Sequence, residues 1–182
     1  MFSYTITPDI ELRLLQHYNA EEIYALVDRN REHLRHWFIW VDTTVNVVDI
    51  QKFIRGCLEK LAQGSELHSG IWYHGKLAGI ASLFNISQPP VGAEIGYWLS
   101  ADCQRKGLMT LACRALIDQA FGPLGLHRIQ IRCEPDNLRS AGIPKRLGFQ
   151  HEGTLRQIGL VRDELVDLDV YAILRDEWEA AR

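Results

Sequence analysis

Glu94-Ile-Gly-Tyr-Trp-Leu-Ser-Ala-Asp-Cys-Gln104-Arg105-Lys106-Gly107-Leu108-Met109-Thr110 is the stretch on which the reading of this chain turns. Its first half is an apolar and aromatic run that ends at Leu99 and reads as a strand. Its second half opens Leu108–Phe121, which reads as a helix closed by Gly122-Pro123. Between them lies a short loop carrying two cations and a glycine. In such a strand–loop–helix arrangement the loop N–H groups and the first unpaired N–H groups of the helix point outward together, with the helix dipole behind them. That describes an anion site, and Arg105 and Lys106 raise its positive potential. From Gln104 to Arg146 there are eight Lys/Arg against three Asp/Glu, a local +5 in a chain of net charge −3. A solvated loop with ordinary charges is the plainer reading of the same residues.

Working outward, Ile10–Leu15 alternates as a first strand, and Asn19 caps a helix that starts at Ala20 and carries Ile23, Leu26, Val27 and Leu34 at helical spacing. The bulky turn Trp37-Phe38-Ile39-Trp40 follows, then a second helix over Asp49–Leu61. Leu67–Tyr73, Lys76–Phe84 and Gly92–Leu99 read as strands, the first two joined by a tight turn at His74-Gly75. The one Pro-rich break is Gln88-Pro89-Pro90. Beyond the long helix come a strand at His127–Cys133, a short helix at Asn137–Leu147 and two last strands near 150–159 and 164–174. This order predicts an α/β fold: a mixed, mostly antiparallel sheet of about seven strands flanked by helices. One domain spanning 1–182, with its core at about 10–174, suits a chain of 182 residues.

Composition narrows the function. Hydrophobic residues at 47% and charged residues at 24% are ordinary for a globular domain. A net charge of −3 gives no basic footprint, which excludes a dedicated nucleic-acid binder. The longest apolar runs, Trp37–Val41 and Val170–Leu174, fall far short of the ~20 residues that cross a bilayer. Met1 to Asp9 has no basic or apolar leader, so a cytosolic protein is expected. Cys57, Cys103, Cys113 and Cys133 show no metal-binding spacing and read as buried thiols. His33 and His36 lack a third ligand and read as solvent-facing, so no metal is expected. Gly70-Ile-Trp-Tyr-His-Gly75-Lys76 fits a phosphate-loop pattern only in outline, because bulky strand formers fill the loop and Leu77 stands where Ser or Thr belongs. A hairpin is the better reading.

Three segments carry a resemblance. Gln104-x-x-Gly107-x-Met109 is similar to the Q/R-x-x-G-x-G/A loop of the GNAT N-acetyltransferases, and its Gly107-x-Met109-Thr110 ending resembles the RimL-like branch. Ala93-Glu94-Ile95-Gly96-Tyr97-Trp98-Leu99 and Asn137-Leu-Arg-Ser140-Ala-Gly-Ile-Pro-Lys-Arg-Leu147-Gly148-Phe149 agree with that branch in order and spacing. The resemblance implies acetyl-coenzyme A as co-substrate. Its pyrophosphate would lie on Gln104, Arg105, Lys106, Gly107, Leu108, Met109 and Thr110, and its pantetheine arm would meet Leu99 and Asn137 in a split between the fourth and fifth strands. It also implies transfer of the acetyl group to an amine, with a protein N-terminal α-amine, as on a ribosomal protein, ahead of a small amine such as a polyamine, amino acid or antibiotic. A non-catalytic acetyl-coenzyme A-binding module is the rival from another class. Oligomeric state is not legible in the sequence, and a homodimer is compatible with it.

Acetyl transfer needs a neutral amine, a stabilised oxyanion and a proton for the leaving thiolate. By the resemblance the proton donor is Ser140. Asn137 and Ser140 equally form a helix-start pair, with Asn137 as N-cap. Pro144 has no N–H for the carbonyl of Ser140, so a helix here is distorted at the serine. Glu94, the one carboxylate in its strand, reads either as the base or as a structural carboxylate bonded to its neighbours. Some relatives carry a Glu on the strand after the Gly148-Phe149 turn, where this chain has Gly159. Trp37 and Trp40 read either as a wall of the acceptor pocket or as a turn capping the core.

Overall fold

The computed structural model describes residues 3–87, 91–161 and 164–181; the Gln88-Pro89-Pro90 break lies outside them. The elements run β1 (Ser3–Thr7), β2 (Ile10–Leu14), α1 (Ala20–Arg29), the single turns α2 (Arg31–Leu34) and α3 (Trp40–Thr43), α4 (Val47–Ala62), β3 (Leu67–Tyr73), β4 (Lys76–Phe84) and β5 (Gly92–Leu99). The chain continues through α5 (Leu108–Phe121), β6 (Arg128–Cys133), α6 (Leu138–Arg146), β7 (Gln150–Val161), β8 (Glu164–Leu174) and α7 (Arg175–Ala180). Among the described residues these strands form one sheet of eight, in the order β1-β2-β3-β4-β5-β6-β8-β7. The strand added to the seven read from sequence is Ser3–Thr7, which pairs antiparallel with β2.

Every neighbouring pair is antiparallel except β5 with β6, where a crossover through α5 forces parallel alignment. That pairing lasts three residues, Gly92 opposite Arg128, Ala93 opposite Ile129 and Glu94 opposite Gln130. Beyond Glu94 the strands part. The expected split between the fourth and fifth strands is this opening between β5 and β6, renumbered by the additional first strand.

Alternation along β5 sends side chains to two cores. Ala93 and Ile95 pack with Leu108, Ala112, Leu116 and Ile117 of α5, while Trp98 joins Ile80, Ile23, Val27 and Ile54 beneath α1 and α4. Each core fixes one wall of the split. The first helix breaks at Asn30, earlier than its apolar spacing predicts, because buried Asn30 works in two directions. Its Nδ2 donates to Leu26 O (2.9 Å), and its Oδ1 accepts from Ala101 N (2.9 Å) in the loop after β5. α4 begins at a capping box, Asn46 Oδ1 accepting from Val48 N at 2.8 Å and Asp49 accepting from Asn46 N at 3.2 Å. The β3–β4 turn carries positive φ at both His74 (49°) and Gly75 (74°), the backbone of a tight hairpin and not of a phosphate loop.

Candidate active site

The loop from Gln104 to Gly107 turns through two left-handed residues, Arg105 (φ 61°) and Gly107 (φ 78°), and delivers the chain into α5. Gly107 O accepts the first helical bond, from Leu111 N at 3.1 Å, so the N–H groups of the first turn have no partner further back in the helix. A Cβ on Gly107 would meet no protein atom within 4 Å: open space lies in front of the loop. That space belongs to a cleft of about 430 Å³ lined by Leu99, Gln104, Arg105, Gly107, Leu108, Met109, Thr110, Asn137, Ser140 and Trp37. Arg139 and Arg146 line it as well, and among the described residues no Asp or Glu does. Lys106 stands apart from these residues. Its ammonium lies 5.3 Å from the centre of the Tyr73 ring, at the end of β3, following the left-handed turn at Arg105.

His33 is half-buried in the wall of this cleft rather than solvent-facing. Its Nε2 lies 2.7 Å from Gln104 Nε2, and Gln104 Oε1 accepts from Arg139 at 2.8 Å, so the three side chains span the cleft mouth. Burial, and after it the charge of Arg139, holds the imidazole below its ordinary pKa. His33 is therefore a neutral ring at pH 7, with Nε2 accepting from the Gln104 amide. Cys103, expected to be buried, is only partly covered and also lines the cleft.

α6 starts at Asn137, whose Oδ1 accepts from Ser140 N at 3.1 Å, so the cap read from the sequence is formed. Pro144 leaves Ser140 O without its helical donor, and Tyr97 Oη supplies one at 3.1 Å. The same phenol lies 3.2 Å from Ser140 Oγ. Burial raises the Tyr97 pKa well above 10, so the phenol stays protonated. Cys133 adjoins this pair. Burial pushes its thiol up, against a hydrogen bond from Ser140 that pulls it down.

Glu94 sits where β5 and β6 are still paired and is 5% exposed. Arg132 Nε donates to its Oε1 at 2.9 Å, Arg132 Nη2 lies 2.8 Å from its Oε2, and Gln130 donates to Oε2 at 3.0 Å. It lines neither cavity described here. A second cavity, also about 430 Å³, opens on the opposite face of the sheet under α1 and α4, and Trp40 lines that one. Trp40 lies 6.1 Å from Trp98 and 5.7 Å from Phe38, ring centre to ring centre. Phe38, Tyr97 and Trp98 line both cavities and so form their common wall. Trp37 and Trp40, read together from sequence, thus fall on different sides.

Residues 9–150 match the family model described as an acetyltransferase (GNAT) domain. The chain belongs to the GNAT acetyltransferase family. It is 33% identical, over the full length of both chains, to the Bacillus subtilis (strain 168) protein named "Putative ribosomal N-acetyltransferase YdaF". It is 28% identical to the ribosomal-protein-serine acetyltransferase of Escherichia coli (strain K12), over 94% of this chain and 96% of that one. Among solved structures, the microcin C7 self-immunity acetyltransferase MccE, crystallised with acetyl-CoA and AMP, superposes with a TM-score of 0.89. That match is 30% identical and covers 93% of this chain and 94% of the other.

As a GNAT enzyme the chain takes its acetyl group from acetyl-coenzyme A, and the cleft fits that co-substrate. Open space faces a positive-φ glycine, a helix N-terminus points into it, and three guanidinium groups surround it. Sequence reasoning singled out the loop and Ser140 but missed His33, Tyr97, Arg139 and Arg146 as cleft residues. Tyr97 had a signal, since the carbonyl orphaned by Pro144 required some donor. Arg139 and Arg146 had only their share in the local excess of positive charge. Among the described residues no group of three His, Cys, Asp or Glu side chains clusters as a metal site, and no helix is long and apolar enough to cross a membrane.

Proposed function

We propose that this acetyltransferase acts on the α-amine of a protein N-terminus. The observation that carries the reading is that, among the described residues, no Asp or Glu lines either cavity. A polyamine would enter such a site with its remaining ammonium groups facing apolar, neutral polar and arginine side chains, with no described carboxylate lining the cavities to pair with them. A peptide N-terminus brings one amine, which is already about a tenth neutral at pH 7. The relatives named as a ribosomal N-acetyltransferase and a ribosomal-protein-serine acetyltransferase support a protein acceptor.

In this reading the loop N–H groups around Gly107, the first turn of α5, and Arg105, Arg139 and Arg146 hold the pyrophosphate. Leu99 and Asn137 flank the pantetheine arm along the split. Bound acetyl-coenzyme A supplies an activated thioester carbonyl. Ser140 donates its hydroxyl proton to the departing sulfur, a group that as a free thiol has a pKa of about 8.5. Tyr97, fixed on Ser140 O and in reach of Oγ, sets the direction of that hydroxyl. Glu94 we assign as a structural carboxylate: Arg132 and Gln130 occupy its oxygens, and it faces no cavity. A thiol-release assay comparing N-terminal peptides with spermidine and with free amino acids tests the acceptor class. Turnover of peptides well above the small amines is expected, and turnover of spermidine alone would overturn the reading.

A further inference from the structure

The cavity on the α1/α4 face holds a chain of polar groups that acetyl transfer as described above does not use. His68 of β3 and Ser82 of β4 are cross-strand partners, and both line the cavity. Ser82 Oγ lies 2.8 Å from His68 Nδ1, and His68 Nε2 lies 2.6 Å from Glu66 Oε2. A carboxylate only accepts, so the proton between His68 and Glu66 sits on Nε2, which leaves Nδ1 of the neutral ring as an acceptor. Ser82 must then donate to Nδ1, and its own lone pairs remain for whatever occupies the cavity. We propose that Ser82, backed by His68 and Glu66, takes the proton from the acceptor ammonium.

Position supports this role. Ser82 pairs with Gly96 of β5, two residues past the last parallel pair with β6, so the row His68–Ser82–Gly96 ends at the open split. Gly96 has no side chain because the Phe84 ring, another wall of this cavity, already lies within 2.5 Å of where its Cβ would stand. The polar row is set in a largely apolar cavity, where Trp40, Trp98, Phe53 and Ile80 offer a surface that favours a neutral amine. Phe53 of α4 also stands edge-on to the His68 ring, centres 5.7 Å apart.

The charged and titratable groups facing His68 are few. Glu66 accepts from Lys60 at 2.7 Å, and Cys57 of α4 has its thiol pushed up to about 12, first by burial and then by the Glu66 charge. Burial alone would raise the Glu66 carboxyl, but hydrogen bonds from Lys60 and His68 bring it below its ordinary value. Glu66 is thus an anion at neutral pH, placed to accept the hydrogen bond from His68 Nε2. The proton balance is simple. The ammonium N–H proton passes to Ser82 Oγ as the Ser82 hydroxyl proton passes to His68 Nδ1, leaving a neutral amine, an intact serine and an imidazolium that later discharges to water. The amine loses its second proton when the C–N bond has formed, and that proton balances the one given to sulfur.

The inference rests on amine acetylation, not on which amine is used, and its test separates the two. Initial rates of the wild type, His68→Gln and Ser82→Ala are measured from pH 6.5 to 9.5, with a lysine-free peptide bearing an N-terminal serine and with benzylamine. At pH 7 either substitution is expected to lower kcat/KM by roughly a hundredfold, the scale of general base catalysis. With the peptide that deficit should shrink to a few-fold at pH 9.5, where solvent has already deprotonated an α-amine of pKa about 7.8. Affinity for acetyl-coenzyme A should be unchanged by calorimetry. A deficit independent of pH, or none in either variant, would overturn the proton path. Wild-type turnover of benzylamine alone would overturn the N-terminal acceptor and leave the proton path to be judged on the pH 7 deficit with that amine.

Discussion

Tyr97 Oη donates to Ser140 O across the split, at 3.1 Å, and lies 3.2 Å from Ser140 Oγ. One phenol therefore replaces the helical donor that Pro144 cannot supply and touches the hydroxyl assigned to protonate the leaving thiolate. The serine is thus held at both backbone groups, its N–H by Asn137 and its carbonyl by Tyr97. Ser140→Ala should lower kcat by roughly ten- to a thousandfold with little change in coenzyme affinity. Tyr97→Phe should lower kcat too and also destabilise the fold by about 1–3 kcal/mol, since it leaves the Ser140 carbonyl without its donor. Steady-state rates with calorimetric affinities, and denaturant titration for the Tyr97 variant, read these effects. Full activity in Ser140→Ala would leave that residue as a capped helix position only.

Gly107 joins a positive φ of 78° to empty space in front of its Cα. A Val there would be strained by about 1–3 kcal/mol and would project into the space assigned to the pyrophosphate. Calorimetry on folded Gly107→Val is expected to show at least a hundredfold loss of acetyl-coenzyme A affinity. Unchanged affinity would remove the pyrophosphate from this loop.

Glu94 distinguishes a base from a strut. Glu94→Gln removes the charge that answers Arg132, and breaking a buried pair from one side costs about 3 kcal/mol. The expected outcome is a lowered unfolding midpoint with kcat within about threefold of the wild type. A kcat loss of a hundredfold in a stable variant would restore Glu94 as the base.

His33 gives stability a pH dependence of definite sign. Burial holds its folded pKa below the unfolded value near 6.5, so between the two the unfolded chain binds more protons. The stability from the neutral ring is complete above about pH 6.5 and is lost as pH falls through the folded pKa. His33→Gln should flatten the stability profile on the acid side of pH 6.5, as read by urea midpoints at successive pH values.

Much of this architecture was legible because local chemistry and tertiary structure agree. Leu108–Phe121 has a positive-φ glycine before it and Gly122-Pro123 after it, and the helix keeps those bounds. The anion loop was legible for the same reason. Where tertiary contacts override local pattern, sequence reading failed. Asn30 ends α1 because its side chain is needed at Ala101, seventy-one residues away, and nothing in the helical spacing of Leu34 records that. Lys106 looks like Arg105 in sequence, yet Arg105 itself is left-handed and its neighbour Lys106 lies over Tyr73 and not in the cleft. His68 and Ser82 meet only because β3 and β4 register them opposite one another, and a pairing across a hairpin is not a spacing along the chain. Ser3–Thr7 gives little signal in the sequence, because a five-residue edge strand with two residues exposed and none buried has no strong alternation to show.

The central claim is acetylation of an α-amine, and it is tested most directly by mass spectrometry of a peptide carrying both a free N-terminus and an internal lysine. An α-amine of pKa about 7.8 and a lysine of about 10.4 differ by about 3.5 kcal/mol in the work of deprotonation. The Ser82–His68 path acts on either amine and leaves that difference, and among the described residues no carboxylate lines either cavity to offset it for lysine. After incubation with the enzyme and acetyl-coenzyme A at pH 7.5, fragmentation should place the added acetyl group on the N-terminal residue in the great majority of product. Dominant acetylation of the lysine side chain would contradict the account.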